Sequence, residues 1–372
     1  MIGMSAHGNT PARELKAGDR PRPLMSTAVV ATRDGGPEVL EVRRWQVRPP
    51  GAHEVRVRVE AAGISFADLL ECRGLHPERY YPRRRRTPFV PGWDVVGVVE
   101  SVGSRVSRVA VGQRVAALSI VGGWAEYALV PAAWAVPLPA QLAPTTAVCL
   151  ILDYVTAYQM LTRSTAVRRG DTVLIQGAAG GVGTALLQLA RHLAVRTLGT
   201  GREARRAHIE SEGGILIDFE REDVAERARV LTGGCGVDAA FDGFGSTART
   251  SLRALRPGGH LVLYGYRGVE GMIRAAGTFA LALLGNVRPG GKRTSIYSIQ
   301  WLARRQPDWY RADLAVLLTL LADHEIAPRI AAVRSLDEVP TALRSLAGHA
   351  PSGKQVIVIE PADSNSAAHV PV

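Results

Sequence analysis

Apolar and polar positions change their period along the chain. From Ser26 to about Pro139, short Val-rich runs such as 54–59, 95–102 and 114–118 alternate closely with Gly and Pro, which predicts a compact β domain. Near Thr145 the pattern turns helical and stays so through AVCLILDYVTAYQMLTRS. Val173, Leu174 and Ile175 then form an apolar run of buried-strand type. Gly177 to Gly183 make a glycine-rich turn, and 184–193 reads as a helix with apolar residues at 186, 187, 189, 190 and 193. Further runs at 194–198, ILIDFERED, VDAAFDGFG and HLVLYGYRG end in Gly or Asp, as parallel strands do at a ligand-bearing edge. Residues 271–285 read as an apolar helical insertion, 296–299 as the last strand of the series and 313–324 as a helix. LDEVPTALRSLAGH is a short capped helix, and GKQVIVIE returns the chain to the first domain as a final strand. The fold class is α/β: a doubly wound parallel sheet beside a β-rich domain.

Within the glycine-rich turn, Ala178, Gly180 and Gly183 stand at the A-x-G-x-x-G spacing, and Gly181 and Val182 lie between them. Small residues there permit a tight turn, let backbone approach a pyrophosphate, and pack helix on strand, while the helix end offers free N–H groups to phosphate. A glycine-rich loop without a ligand is the plain alternative, but strand, turn and helix follow in the required order. The next strand of an NAD site normally ends in an acid about 20 residues past the glycines, where it binds the ribose hydroxyls. Here Thr200, Gly201 and Arg202 stand instead, with Arg205 and Arg206 one turn on. A 2′-phosphate meets no carboxylate there and finds guanidinium groups, so NADP(H) is the expected cofactor. Arg206 also reads as part of a solvated basic helix face.

Composition narrows the picture only a little. A chain of 372 residues, 47% hydrophobic and 21% charged, has room for two domains with sizeable cores. Cys72, Cys149 and Cys235 are too scattered for a disulfide framework, which points to a reducing cytoplasm. Residues 1–25 are polar and lack the apolar core of a secretory signal, so they and 362–372 read as tails. No apolar run approaches the ~20 residues that span a bilayer, and no membrane is expected. The net charge of +11 is mostly scattered arginine, without the aromatic interleaving of a nucleic-acid surface. One run, Arg83–Arg86 between Pro82 and Pro88, reads either as a solvated loop or as a basic rim that recruits an anionic substrate.

Three segments precede the glycine-rich turn in order: AAGISFADLLECRGLHP, VPGWDVVGVVESVGSRVSRVAVGQRVA and GGWAEYALVPAAWAVPLP. Together with GAAGGVGTALLQLA they resemble the medium-chain dehydrogenase/reductase superfamily over about residues 27–360. The wording of the turn is similar to the zinc-independent quinone oxidoreductase, or zeta-crystallin-like, branch. RPGGKRTSIYSIQWLARRQPDWYRADLAVLLTLLADHEIAP resembles its vesicle amine transport protein homologues. The resemblance implies a GroES-like catalytic domain, 26–152 and 325–361, wrapped around a Rossmann NADP(H)-binding domain, 153–324, with the active site in the cleft between them. It also implies a homodimer paired through the sheet edge near Ile296.

The same resemblance distributes roles. Zinc-dependent members carry a Cys where Ser65 stands and a His-Glu pair where Trp93 and Asp94 stand, so no metal is expected. Thr156 falls near the nicotinamide and Tyr154 at the floor of the cleft. Phe219 falls beside the adenine, and Phe241, Asp242, Gly243, Gly265 and Tyr266 fall along the nicotinamide half of the groove, where simple strand termination is the alternative. Some members carry an Asn and a Tyr where this chain has Ser65 and Leu70. That leaves Ser65, Asp68 and Tyr154 as polar candidates near the reacting carbon, with a structural role for Asp68 and water as proton donor both open. The implied function is NADPH-dependent reduction of a small-molecule quinone or of an alkene conjugated to a carbonyl. A nucleotide-binding protein of the same fold with lost or repurposed turnover is the alternative.

Overall fold

The structure is a computed structural model and describes residues 24–75, 87–266, 291–348 and 352–360. The Arg83–Arg86 run and the 271–285 insertion lie outside the described residues.

Strands β1 (Leu24–Ala31) and β2 (Leu40–Val47) pair as an antiparallel ribbon, so the chain is extended two residues before Ser26. β3 (Glu54–Ile64), β4 (Asp94–Val102), β5 (Arg114–Leu118), β6 (Tyr127–Pro131) and β7 (Ala135–Pro137) follow. In β3, Val55, Val57 and Val59 are buried and Arg56, Arg58 and Glu60 face outward, the period-two pattern of a half-buried strand. Next come β8 (Thr172–Ile175), β9 (Arg196–Gly201), β10 (Gly214–Asp218), β11 (Val237–Asp242), β12 (Leu255–Leu263) and β13 (Arg293–Ile296). These six lie parallel in the order β10-β9-β8-β11-β12-β13, so the order reverses beside β8, whose C-terminal end carries the glycine-rich turn. In doubly wound sheets ligands bind at that reversal. β14 (Ile330–Arg334) and β15 (Lys354–Val358) return to the first sheet, where β15 pairs with β3.

Two boundaries differ from the sequence expectation. The last parallel strand is Arg293–Ile296 rather than 296–299, because Ser298 accepts a hydrogen bond from Trp301 N and caps a helix starting at Ile299. The helix expected at 313–324 begins at Pro307, whose missing N–H costs nothing in a first turn.

A helical segment from Pro144 to Ser164, widened to π geometry at Leu150–Tyr154 and Met160–Ser164, joins the two sheets. One apolar core runs through it, from Trp93, Val96 and Leu118 past Leu150 and Met160 to Ile175, Leu186 and Phe241. Trp134 Nε1 also donates to Ala303 O at 3.0 Å, tying the first sheet to the 299–305 helix. These shared contacts set the cleft's walls. No helix among the described residues is long and apolar enough to cross a membrane.

Candidate functional site

The cleft has a volume of about 370 Å³ and takes its walls from both sheets. One wall carries Ser65, Phe66, Leu70 and Trp93; the other carries Gly180–Gly183, Gly243 and Tyr264–Tyr266. Thr156 and Asp153 enter from the linking helix, and Lys354 from β15.

The glycine wall is built by close approach. The Gly181–His192 helix starts at Gly180, and no side chain caps it. A Cβ on Gly183 would stand 2.5 Å from Gly177 O, and one on Gly265 would stand 2.4 Å from Gly243 O. Only glycine lets these backbone segments lie so close, which leaves helix N–H groups facing the cleft. An uncapped, glycine-lined helix start is the chemistry that a dinucleotide pyrophosphate needs, so the residues fit an NADP(H) site.

On the opposite wall, Ser65 and Asp68 form a capping box at the start of the Phe66–Cys72 helix. Ser65 N and Ser65 Oγ each donate to Asp68 Oδ2 at 2.7 Å, and Gly92 N donates to Oδ1 at 3.0 Å. Burial pushes the Asp68 carboxyl up to about 7; the Ser65 hydroxyl opposes this and the Asp94 charge adds to it. Ser65 faces the cleft, and Asp68, fully buried, lies behind it.

Several expected site residues stand elsewhere. Tyr154 does not reach the cleft floor: it is 2% exposed and its hydroxyl donates to Gln188 Oε1 at 2.7 Å, drawn into the Rossmann-side core by an amide that also bonds Ala327. Thr200 is buried and holds the turn rather than facing a ligand, donating to Gln176 Oε1 and accepting from Gly177 N. Ala178 is buried behind the turn, against Gly199. Asp242 serves the next turn, accepting from Phe244 N, Gly245 N, Thr247 Oγ1 and Ser251 Oγ. All its acceptor capacity is directed inward. At the end of β9, Arg202 pairs with Glu220 at 2.8 Å and Arg205 donates to Ser352 Oγ at 2.8 Å. Arg206 is held between Glu203 and Glu210, as a solvated helix face would have it. Phe219 is half exposed just past β10.

Other cleft residues escaped the sequence reading. Tyr297 donates to Gln159 Oε1, and Gln159 in turn bonds Asp313, so the ring is anchored from behind. Lys354 is 4% exposed and its Nζ lies 2.7 Å from Asp94 Oδ2 and 3.5 Å from Asp153 Oδ1. A signal for it existed: Lys354 shares the period-two face of Val356, a buried position.

Two family descriptions match the chain, Alcohol dehydrogenase GroES-like domain over residues 51–140 and Zinc-binding dehydrogenase over residues 181–303. The quinone oxidoreductase of Lama guanicoe is 34% identical over 246 residues, which are 65% of this chain and 73% of that protein. Among solved structures, Escherichia coli quinone oxidoreductase complexed with NADPH has a TM-score of 0.79 at 26% identity, covering 90% of this chain and 100% of that one. The human synaptic vesicle membrane protein VAT-1 homolog-like protein has a TM-score of 0.77 at 26% identity, covering 91% of this chain and 99% of that one.

Proposed function

The chain belongs to the quinone oxidoreductase branch of the medium-chain dehydrogenase/reductase superfamily, and from that premise we propose that it reduces a quinone, or an alkene conjugated to a carbonyl, with NADPH and without zinc. The observation that carries the reading is a mostly apolar cleft with a glycine cradle on one side and the Ser65–Asp68 pair on the other. NADPH supplies the hydride. Gly180, Gly181 and Gly183 would receive the pyrophosphate, Thr156, Gly243, Gly265 and Tyr266 would border the nicotinamide end, and Phe219 would flank the adenine. Arg202 and Arg205 would favour a 2′-phosphate, exchanging their Glu220 and Ser352 partners for it, since no carboxylate ends β9. Phe66, Leu70 and Trp93 offer an apolar acceptor a dry surface, which excludes water from the transfer.

The donor set does not suit zinc. Trp93 offers only an indole N–H, which cannot ligate, the Ser65 hydroxyl is engaged by Asp68, and Asp94 is tied to Gly63 N and Lys354.

Reduction also needs a proton, and the Ser65–Asp68 pair can deliver one. When Asp68 is protonated it donates to Ser65 Oγ, which frees the serine hydrogen to face an oxyanion in the cleft. The pH sign follows. Because burial raises Asp68 to about 7, the donor is present below that value and lost above it. The turnover number should therefore fall through neutrality by up to about tenfold per pH unit. Asp68→Asn should lose this limb and turn over slowly at all pH, as a pH–rate profile would reveal. A limb unchanged in Asp68→Asn would move the proton donor elsewhere.

The activity itself is tested by NADPH consumption with a panel of quinones and enones. Turnover is expected to survive prolonged chelation, with NADPH bound more tightly than NADH. Binding without turnover of any acceptor would instead support the repurposed nucleotide-binding protein, and release of a stoichiometric zinc together with activity would sink the metal-free reading.

A further inference from the structure

Asp153 has no part in the proton path above, yet it lies against the cofactor cradle. It is 6% exposed, and its Oδ2 is packed so closely on Gly181 that a Cβ there would stand 2.2 Å away. Gly181 is the first residue of the helix whose free N–H end faces the cleft. The carboxylate thus borders the place where a pyrophosphate would sit.

Its surroundings offer little compensating charge. Among the described residues Lys354 from β15 is the cation paired with it, at 3.5 Å, and that ammonium stands closer to Asp94 of β4, at 2.7 Å. Asp68 on the Phe66–Cys72 helix feels both Asp94 and Lys354, and Cys149, on the preceding turn of the linking helix, is a buried thiol pushed up by desolvation. With every carboxylate ionised, the buried set would hold three negative charges, at Asp68, Asp94 and Asp153, against the one positive charge of Lys354. Burial already raises the Asp153 pKa, opposed by Lys354 and reinforced by Asp94.

We propose that Asp153 couples cofactor binding to proton uptake: a pyrophosphate arriving at the Gly181–Gly183 helix end drives a solvent proton onto the Asp153 carboxylate. The inference rests on the NADPH reading given above. Two anions brought together at one helix end repel strongly when one is a buried carboxylate, and protonation of the carboxylate relieves that repulsion. Lys354 cannot relieve both without leaving Asp94 unpaired. The proton comes from solvent, and no covalent bond changes. By reciprocity, protons then strengthen NADPH binding. Affinity declines as pH rises through the range in which Asp153 ionises in the free protein, by up to about tenfold per pH unit.

Calorimetric titration of NADPH into the full chain, in two buffers of different ionisation enthalpy at a series of pH values across the range in which the chain stays folded, reads the proton count directly. Uptake approaching one proton per NADPH is expected, and Asp153→Asn should abolish it and flatten the pH dependence of affinity. The cofactor's 2′-phosphate also takes up a proton, at about pH 6, so adenosine 2′-phosphate, which has that group and no pyrophosphate, is run on the unaltered chain as the variant-free comparison. Uptake no greater for NADPH than for adenosine 2′-phosphate, or uptake undiminished in Asp153→Asn, would overturn the proposal. Failure of the unaltered chain to bind NADPH at all would overturn the cofactor reading instead.

Discussion

Lys354→Met is expected to destabilise the folded chain by about 3–5 kcal/mol, the range for breaking a buried ion pair by removing one partner. Lys354 and Asp94 are almost wholly removed from solvent and 2.7 Å apart, and Asp94 Oδ1 is also bonded by Gly63 N at 3.0 Å. Burial works against the ammonium, but Asp153 and Asp94 outweigh it and hold the Lys354 pKa above its ordinary value. A lysine raised in this way stabilises the fold at every pH below its unfolded pKa, so the contribution is complete at neutrality. Methionine keeps the stem's volume and removes the charge, leaving Asp94 and Asp153 buried without a cation. Urea unfolding at neutral pH measures the loss, which should shrink as the pH is lowered and the carboxylates take up protons. A loss below about 1 kcal/mol would mean that water reaches the pair, as it does for surface bridges. Arginine is no rescue, because Lys354 Cε already lies 2.4 Å from where a Gly63 Cβ would stand, so the space around the stem is full.

The second large effect is on the cradle. Gly183→Ala would place a Cβ 2.5 Å from Gly177 O and 2.6 Å from the Ala178 carbonyl, both backbone atoms of the turn. Because backbone cannot rotate away as a side chain tip can, the turn has to open. NADPH affinity should fall by roughly tenfold to a hundredfold, about 1.4–2.8 kcal/mol of binding energy. Gly180→Ala isolates the other cause: its nearest protein neighbour is Gly177 O at 3.5 Å, ordinary contact, so any loss there comes from the cofactor's approach and not from opening of the turn. Titration of both variants by the quenching of protein fluorescence separates the two cases. Equal losses would mean that the cofactor's own approach, and not the packing of helix on strand, sets the requirement for glycine.

Local patterns carried the architecture. The parallel strands, the glycine-rich turn, the uncapped helix behind it and the return of GKQVIVIE to the first sheet follow from apolar period and from the conformational freedom of glycine, both of which act over a few residues. The Ser65–Asp68 capping box is equally local, an S-x-x-D spacing at one helix start, but the two residues are singled out in the sequence by the resemblance and not by that spacing. Gly180, Gly181 and Gly183 line the cleft.

What local pattern could not decide was which way a side chain turns when its partner is far along the chain. Tyr154 faces away from the cleft because Gln188, 34 residues on, accepts its hydroxyl, and Thr200 faces inward because Gln176 and Gly177 require it. Asp242 ends its strand as expected but spends its oxygens on the following turn. The Lys354–Asp94 pair joins residues 260 apart, and Asp153 meets Gly181 only because a widened helical turn crosses the start of the Rossmann helix. The sequence alone therefore determined the strands and the glycine-rich turn. The tertiary structure alone decided where the buried charges sit, because a charge removed from water needs a partner wherever the fold can bring one, and sequence distance plays no part in that energy.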